Sequence, residues 1–362
     1  MNINIFKDSF KQVIYNKPTR NYGIDLLKII AMINIINLHI NLRCDHLKLN
    51  PLHPKYKHVY RLEAFSFWPV DAFGLISGIV NYKKYNFTNI IYLWFQYLFY
   101  SLFFSILSYN KSSKNKKILF YHFFPVGIKR HWYVNAYFFL YFFLPFIKNS
   151  INLMDKVLFN KMVLIFFLLY SFYHTLIKFI FKNTNHDYIN GGYSTLWLLI
   201  LYIIGAYIGR FYSDKKYFSN ITLLSIYLIS SFISSEYIFF SFKRKEFANN
   251  IFMEYFSPTV MFQALSLIFF FENQKIYNKY VIKIISFFIP LNFNVTLIHS
   301  KIIMFKFRYY IKSLSSKLLF FKLYGISIFI YLISAMIDYF RFLLFKFFRI
   351  RTLCDYIKNI IF

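Results

Sequence analysis

The stretch RNYGIDLLKIIAMINIINLHI, residues 20–40, places Asp25, Lys28 and His39 within an otherwise apolar run. At 100° per residue, the eleven steps from Lys28 to His39 bring the two side chains within about 20° of one face, ~16 Å apart along the axis. Asp25 falls within about 40° of His39 on the same wheel. An imidazole that exchanges protons near neutral pH, a cation and a carboxylate on one stripe mark a candidate polar site within the membrane. Each residue also has a plainer role: Lys28 can snorkel, Asp25 can sit in a first turn, and His39 can be a hydrogen-bonded packing residue. Holding an ionisable group at mid-membrane costs at least ~2.5–3.5 kcal/mol on insertion scales, so the stripe is expected to face a polar interior rather than lipid.

Three further stretches carry candidate chemistry. FWPVDAFGLISGIVNYKK, residues 67–84, contains Asp71 in apolar surroundings and Ser77-Gly78, a pair that also serves close helix packing. Ser77 lies outside any G-x-S-x-G elbow, so it is not read as a nucleophile. HWYVNAYFFLYFFLPFIK, residues 131–148, opens with His131, Trp132 and Tyr133, which also fit an interfacial aromatic belt. PLNFNVTLIHSKII, residues 290–303, sets His299 deep in an apolar run. His46, His53 and His58 are spaced by seven and five, which matches no metal-ligand pattern, so no metal site is expected. Walker and dinucleotide motifs are absent.

The elements that must hold these residues follow from composition. The 362 residues are 58% hydrophobic and only 16% charged, against about 25% charged in a soluble domain. The expected fold is therefore all-α: a polytopic integral membrane helical bundle of about 10 transmembrane helices. The spans are expected near 24–42, 67–82, 90–109, 132–148, 157–181, 194–211, 219–240, 257–272, 281–305 and 319–346. They form one unit, 24–346, between a cytoplasmic segment, 1–23, and a short tail, 347–362. The formal charge of +29 sits between apolar runs, which suits lipid headgroups and positive-inside anchoring and gives no sign of a nucleic-acid module. Lys and Arg divide almost evenly between the two sides, so charge does not orient the chain. The N-terminus lacks the pattern of a cleaved signal peptide. Cys44 and Cys354 fall on opposite sides, which argues against a disulfide. The loops 43–66 and 110–131 are short and basic, so the chemistry is expected among the helices.

In this order and spacing the motifs resemble the membrane acyltransferase 3 family, polytopic bacterial proteins that O-acylate cell-surface sugars. The family's "DxLRxxAxxxVxxxH" stands here as IDLLKIIAMINIINLH, with Asp25, Lys28, Ala31 and His39. Its "VdlFfxiSGyl" stands as VDAFGLISGIV, with Val70, Asp71, Phe73, Ser77 and Gly78. Its "hlWFlyaxxxLYLxxPfl" stands as HWYVNAYFFLYFFLPFI, with Trp132, Tyr133, Leu140, Tyr141 and Pro145, and its "xxIYLiHxxil" as NVTLIHSKII, with His299. Two departures stand out. Lys28 replaces the usual arginine, keeping the charge but losing the planar fork. Phe73-Gly74 replaces a double phenylalanine, which is expected to widen the pocket.

The resemblance implies a multi-pass enzyme of the bacterial cytoplasmic membrane that moves an acyl group, with acetyl the expectation, from acyl-CoA to a hydroxyl of a cell-surface polysaccharide, lipopolysaccharide or lipid-linked precursor. Acetyl-CoA would be the donor substrate rather than a bound cofactor; the partners are the glycan acceptor and the lipid bilayer, and no nucleic acid. On this reading His39 is the base and Asp71 the carboxylate that orients it. Lys28 and Asp25 attend the donor, and Ser77, Trp132, Tyr133 and His299 line the substrate path. A transporter or flippase of lipid-linked saccharide would place the same polar stripe along a permeation path.

Overall fold

The computed structural model describes residues 20–82, 85–112, 123–126, 131–181, 189–212, 216–243, 250–303 and 308–361. Most of the expected N-terminal segment, residues 1–19, and most of the 110–131 connection lie outside them. The described residues form helices and turns, with no strand among them.

The helices run in chain order: α1 Tyr22–Arg43, α2 Tyr56–Ser66, α3 Pro69–Asn81, α4 Phe87–Ser112, α5 Trp132–Leu153, α6 Lys156–Phe181, α7 Thr195–Phe211, α8 Asn220–Lys243, α9 Pro258–Glu272, α10 Lys279–Ile302, α11 Arg308–Ser313, α12 Leu319–Phe347 and α13 Ile350–Ile361. Their starts are written locally. Asn21 accepts from the amides of Gly23 and Ile24, Ser194 from Trp197, Asp155 from Leu158, and Asn278 from Tyr280 and Val281. Ser257 caps α9 with Pro258 in its first turn, where the missing N–H costs nothing.

Among the described residues, seven helices are long and apolar enough to cross a membrane: α1, α4, α6, α8, α10, α12, and α9 with the 3-10 turn before it. The stretches expected at 67–82, 132–148 and 194–211 are also helical, as α3, α5 and α7, but do not reach that standard of length and apolarity. For α3 and α7 the reason is packing. Thirteen- and seventeen-residue helices can be short because they shelter each other. Phe139, Phe142, Phe143 and Phe146 of α5 face outward, as do Leu164, Leu168, Leu169 and Phe172 of α6, the apolar surface expected where a bundle meets acyl chains.

Two elements differ from the sequence reading. The 43–66 connection contains helix α2, whose Val59, Leu62 and Ala64 are buried, so this loop enters the interior. Residues 350–361, expected as a tail, form the amphipathic helix α13, packed on α4 through Thr88 donating to Asp355 at 2.7 Å and Arg351 donating to Asn89 at 2.9 Å.

α1 is the hub, touching α2, α3, α9, α10 and α12. Asn34 and Asn37, which the wheel turns away from the stripe, bind α12: Tyr324 donates to Asn34 Oδ1 at 2.7 Å and Ser327 to Asn37 Oδ1 at 2.5 Å. Asn292 of α10 donates to the Lys28 carbonyl at 3.1 Å and accepts from Tyr331 of α12 at 3.1 Å. A second buried network ties α4, α10 and α12. Asp338 receives Arg341 through Nε at 2.8 Å and Nη2 at 2.7 Å, the Tyr100 hydroxyl at 2.7 Å and the Asn294 amide at 3.3 Å. Arg341 is 1% exposed, and such an ion pair persists in the interior because every charge is also hydrogen-bonded.

Candidate active site

A cavity of about 810 Å³ runs along α1. Its α1 wall is Lys28, Met32, Ile35, Leu38, His39, Leu42 and Arg43, steps of three and four that mark one helical face. From Lys28 to Arg43 this face extends ~22 Å. The opposite walls include Phe73, Ile76 and Ser77 of α3, Trp132, Tyr133 and Tyr137 of α5, and Glu63 of α2. The stripe therefore faces an interior cavity whose lining is mainly apolar and carries polar side chains, with Lys28 at one end and His39 nearer the other.

His39 is oriented by a partner from the far end of the chain. Its Nδ1 lies 2.5 Å from Nε2 of His299, and Nδ1 of His299 lies 2.7 Å from the carbonyl oxygen of Val295. The two rings are within 10° of coplanar, with centres 4.8 Å apart, so they meet edge to edge along the nitrogen lone pairs. A carbonyl only accepts, so with both rings neutral the protons are assigned in sequence. His299 Nδ1–H donates to Val295, its Nε2 accepts, and His39 Nδ1–H is the donor. That leaves Nε2 of His39 with a free lone pair. His131 also lines the cavity, its ring edge-on to Tyr97 at 5.7 Å.

This arrangement corrects the role expected for Asp71. The residue is fully buried, but its Oδ1 accepts the indole N–H of Trp197 on α7 at 3.0 Å, and it does not hydrogen-bond His39. The reason is helical phase: Val70, Phe73, Ile76, Ser77 and Val80 turn to the cavity, while Asp71, Gly74, Leu75 and Gly78 turn to α7. Gly74 is corrected on the same ground. A Cβ there would come within 2.9 Å of the Leu201 side chain, so this glycine tightens the α3–α7 contact and does not widen the pocket. Gly78 and Gly205 let the two backbones touch, since an added Cβ would lie 2.1 Å from the Tyr202 carbonyl oxygen or 2.0 Å from that of Leu75. The small-residue reading of Ser77-Gly78 thus holds for Gly78. Ser77 itself faces the cavity and shares a hydrogen bond of 3.2 Å with the Tyr137 hydroxyl.

Asp25 stands behind the stripe. It is 5% exposed and lies outside the cavity wall, with Oδ2 taken by Arg20 Nε at 2.5 Å and Oδ1 by Lys28 Nζ at 3.1 Å. It holds two cations, and of the two residues expected at the donor only Lys28 lines the cavity. Trp132 and Tyr133 line the cavity, which removes them from a lipid-facing belt.

Several wall residues escape the sequence reading: Arg43, Glu63, Tyr193 and Tyr255. Glu63 had a detectable signal. It is one of only 14 acidic residues, and Tyr60, Glu63 and Phe67 recur at helical spacing beside an apolar face. Its Oε2 accepts from Asn41 Nδ2 at 2.8 Å, and burial raises its pKa from the ordinary 4.5 to about 8, partly offset by that bond. His46, whose Nδ1 lies 3.3 Å from Asn41 Oδ1, is lowered to about 4 by burial and by the charge of Lys55.

Multiple apolar helices around a cavity, with an imidazole on its wall held by a second imidazole, define a multi-pass membrane protein with a buried histidine pair at an intramembrane cavity. Residues 21–352 match the acyltransferase domain of the acyltransferase 3 family, nearly the whole chain, and the protein belongs to that family. It is a membrane acyltransferase. No curated protein and no solved structure gives a significant match.

Proposed function

We propose that this protein transfers an acyl group, with acetyl the expectation, from acyl-CoA to a hydroxyl of a cell-surface glycan or its lipid-linked precursor, within the bacterial cytoplasmic membrane. The observation that carries the reading is the His39–His299–Val295 chain on the wall of a cavity able to admit two substrates. The donor enters at the Lys28 end, where an ammonium backed by Asp25 and Arg20 meets its phosphates. The acceptor enters at the Arg43 end.

The free Nε2 of His39 removes the proton from the acceptor hydroxyl as its oxygen bonds to the thioester carbonyl carbon. The tetrahedral intermediate collapses, the carbon–sulfur bond breaks, and the departing thiolate takes the proton back from His39. Throughout, His299 Nε2 accepts from the Nδ1–H of His39 and supports the imidazolium as it forms. Positioned general-base catalysis of this kind contributes typically ~10²–10⁴ in rate.

The test is purified protein with labelled acetyl-CoA and surface glycan. Wild type is expected to label the glycan, and His39→Ala, matched for expression and folding, to lose ~10²–10⁴ of the rate. Undiminished transfer by His39→Ala would remove the base assignment. A wild-type protein that leaves the glycan unmodified but moves it across vesicles would replace the enzyme with the transporter.

A further inference from the structure

One part of the cavity wall that also holds His39 is aromatic. Trp132 and Tyr193 have ring centres 4.6 Å apart, Tyr193 and Tyr255 4.9 Å, and Trp132 and Tyr255 5.7 Å, while Phe67 stacks behind Tyr255 at 4.6 Å. All four residues line the cavity. Rings this close touch one another and leave no void between them, so they form a continuous wall rather than a cage for a quaternary ammonium, which needs rings held apart around a cation. The wall is built by backbone. Gly192, at φ +86°, approaches so closely that a Cβ would lie 2.5 Å from that of Tyr255, and the Tyr255 amide donates to the Gly191 carbonyl at 3.2 Å.

Glu63 stands at the same end of the cavity, close enough to Tyr193 and Tyr255 for its charge to act on both hydroxyls. Oε2 is committed to Asn41, itself two residues beyond His39 on α1 and held in turn by His46. Oε1 takes no hydrogen bond among the described residues, and it is not one of the sealed, unpaired oxygens of the interior. It is the oxygen left to a ligand. An apolar flat wall beside one fixed polar oxygen matches the two sides of a pyranose: the face of axial C–H groups lies on aromatic rings, and the equatorial hydroxyls need a directed partner.

We infer that Glu63 and the Trp132–Tyr193–Tyr255 wall form a saccharide subsite in which Glu63 Oε1 exchanges a hydrogen bond with one ring hydroxyl and so presents a neighbouring hydroxyl to His39 Nε2. This rests on the acyl-transfer reading and adds the residues that choose and orient the acceptor. With a pKa near 8, Glu63 is a neutral acid at pH 7, and with Oε2 accepting from Asn41 its proton is on Oε1, where it donates to the sugar. Glutamine reproduces that pattern and leucine does not.

The experiment measures acetyl transfer from acetyl-CoA to two soluble probes, methyl pyranosides and n-butanol, which has no second hydroxyl and no ring. Glu63→Leu is expected to raise the KM ratio, pyranoside over butanol, about tenfold, the loss of one hydrogen bond of ordinary strength, with the KM for acetyl-CoA unmoved. Glu63→Gln should restore the ratio to within about threefold of wild type, since its amide N–H donates where the protonated Oε1 does. Tyr193→Ser, at a 42% exposed position that tolerates change, should raise the ratio in the same direction. An unchanged ratio in both Glu63→Leu and Tyr193→Ser overturns the subsite, as does a Glu63→Gln loss equal to that of Glu63→Leu. Saturation-transfer NMR of methyl pyranosides with the detergent-solubilised full chain separates the two readings. Binding weakened by Tyr193→Ser without any acetylation keeps the subsite and removes the transfer reaction; no binding and no acetylation removes both.

Discussion

Replacing His299 isolates the contribution of an orienting group that never meets the substrate. In wild type the Nδ1–H of His39 points into the lone pair of His299 Nε2 at 2.5 Å, and that nitrogen is an acceptor because the other one donates to Val295. His299→Leu leaves the His39 Nδ1–H unpaired in a fully buried pocket. It also frees the ring to carry its proton on Nε2, the atom that acts as base in the proposed mechanism. The lost bond is to a group that becomes charged in the transition state, and such bonds contribute roughly 1.5–3 kcal/mol, or ~10–100-fold in rate. The loss should fall on kcat with both KM values nearly unchanged, since the bond strengthens only as the imidazolium forms. His299→Gln, which can offer a carbonyl oxygen at that site, should recover part of it. The assay is steady-state acetyl transfer by protein of matched thermal stability, in a cycle with His39→Gln. Once the base is gone there is nothing to orient, so the double variant should be no slower than His39→Gln alone. Losses that multiply, or a His299→Leu enzyme with wild-type kcat, would refute the reasoning.

Three stability predictions follow from the packing. Gly205→Ala drives a Cβ to 2.0 Å from the Leu75 carbonyl oxygen and should lower the melting temperature in detergent, at a cost of about 1–3 kcal/mol, whereas Gly325→Ala, with nothing within 4 Å of the new atom, should not. Arg341→Met leaves Asp338 charged and buried and should cost about 3–5 kcal/mol, with Asp338→Asn added to it recovering part of the loss in the same thermal assay. The Glu63 carboxyl binds its proton more tightly folded than unfolded, so between pH 4.5 and about 8 the folded state holds more protons and stability falls as pH rises; Glu63→Gln should flatten this part of the melting curve against pH. His46 acts oppositely, losing stability as pH falls from 6.5 towards about 4, which sets the lower edge of the same profile.

The helices are legible in the sequence because lipid demands long apolar runs, and each of the ten expected stretches coincides with a helix within a few residues. The stripe on α1 is legible too, since Lys28 and His39 are related by the helical repeat alone. What lies between helices is less so. Asp71 and Ser77 share a short motif but face opposite sides of α3, and only the position of α7 reveals which one meets the cavity. The His39–His299 pair joins residues 260 apart, a contact no local pattern encodes. Helix α2 is short and polar on one side and resembles a basic loop, so the spacing of Tyr60, Glu63 and Phe67 is the only local sign of Glu63. Arg341 and Asp338 look like ordinary i, i+3 surface charges until Tyr100 and Asn294 close over them.

The distance in sequence between the two histidines has a consequence for the nascent chain. α1 is made first, yet its His39 has no oriented proton until α10 has been synthesised and seated beside it. At ~5–20 residues per second, the 260 residues between them take on the order of tens of seconds to translate. Throughout that interval an inserted but unfinished chain has its first helix in the bilayer without the partner that orients His39. On the proposed mechanism, a stalled or truncated product ending before residue 299 lacks the acceptor that orients His39, so full activity requires that α10 has arrived and docked.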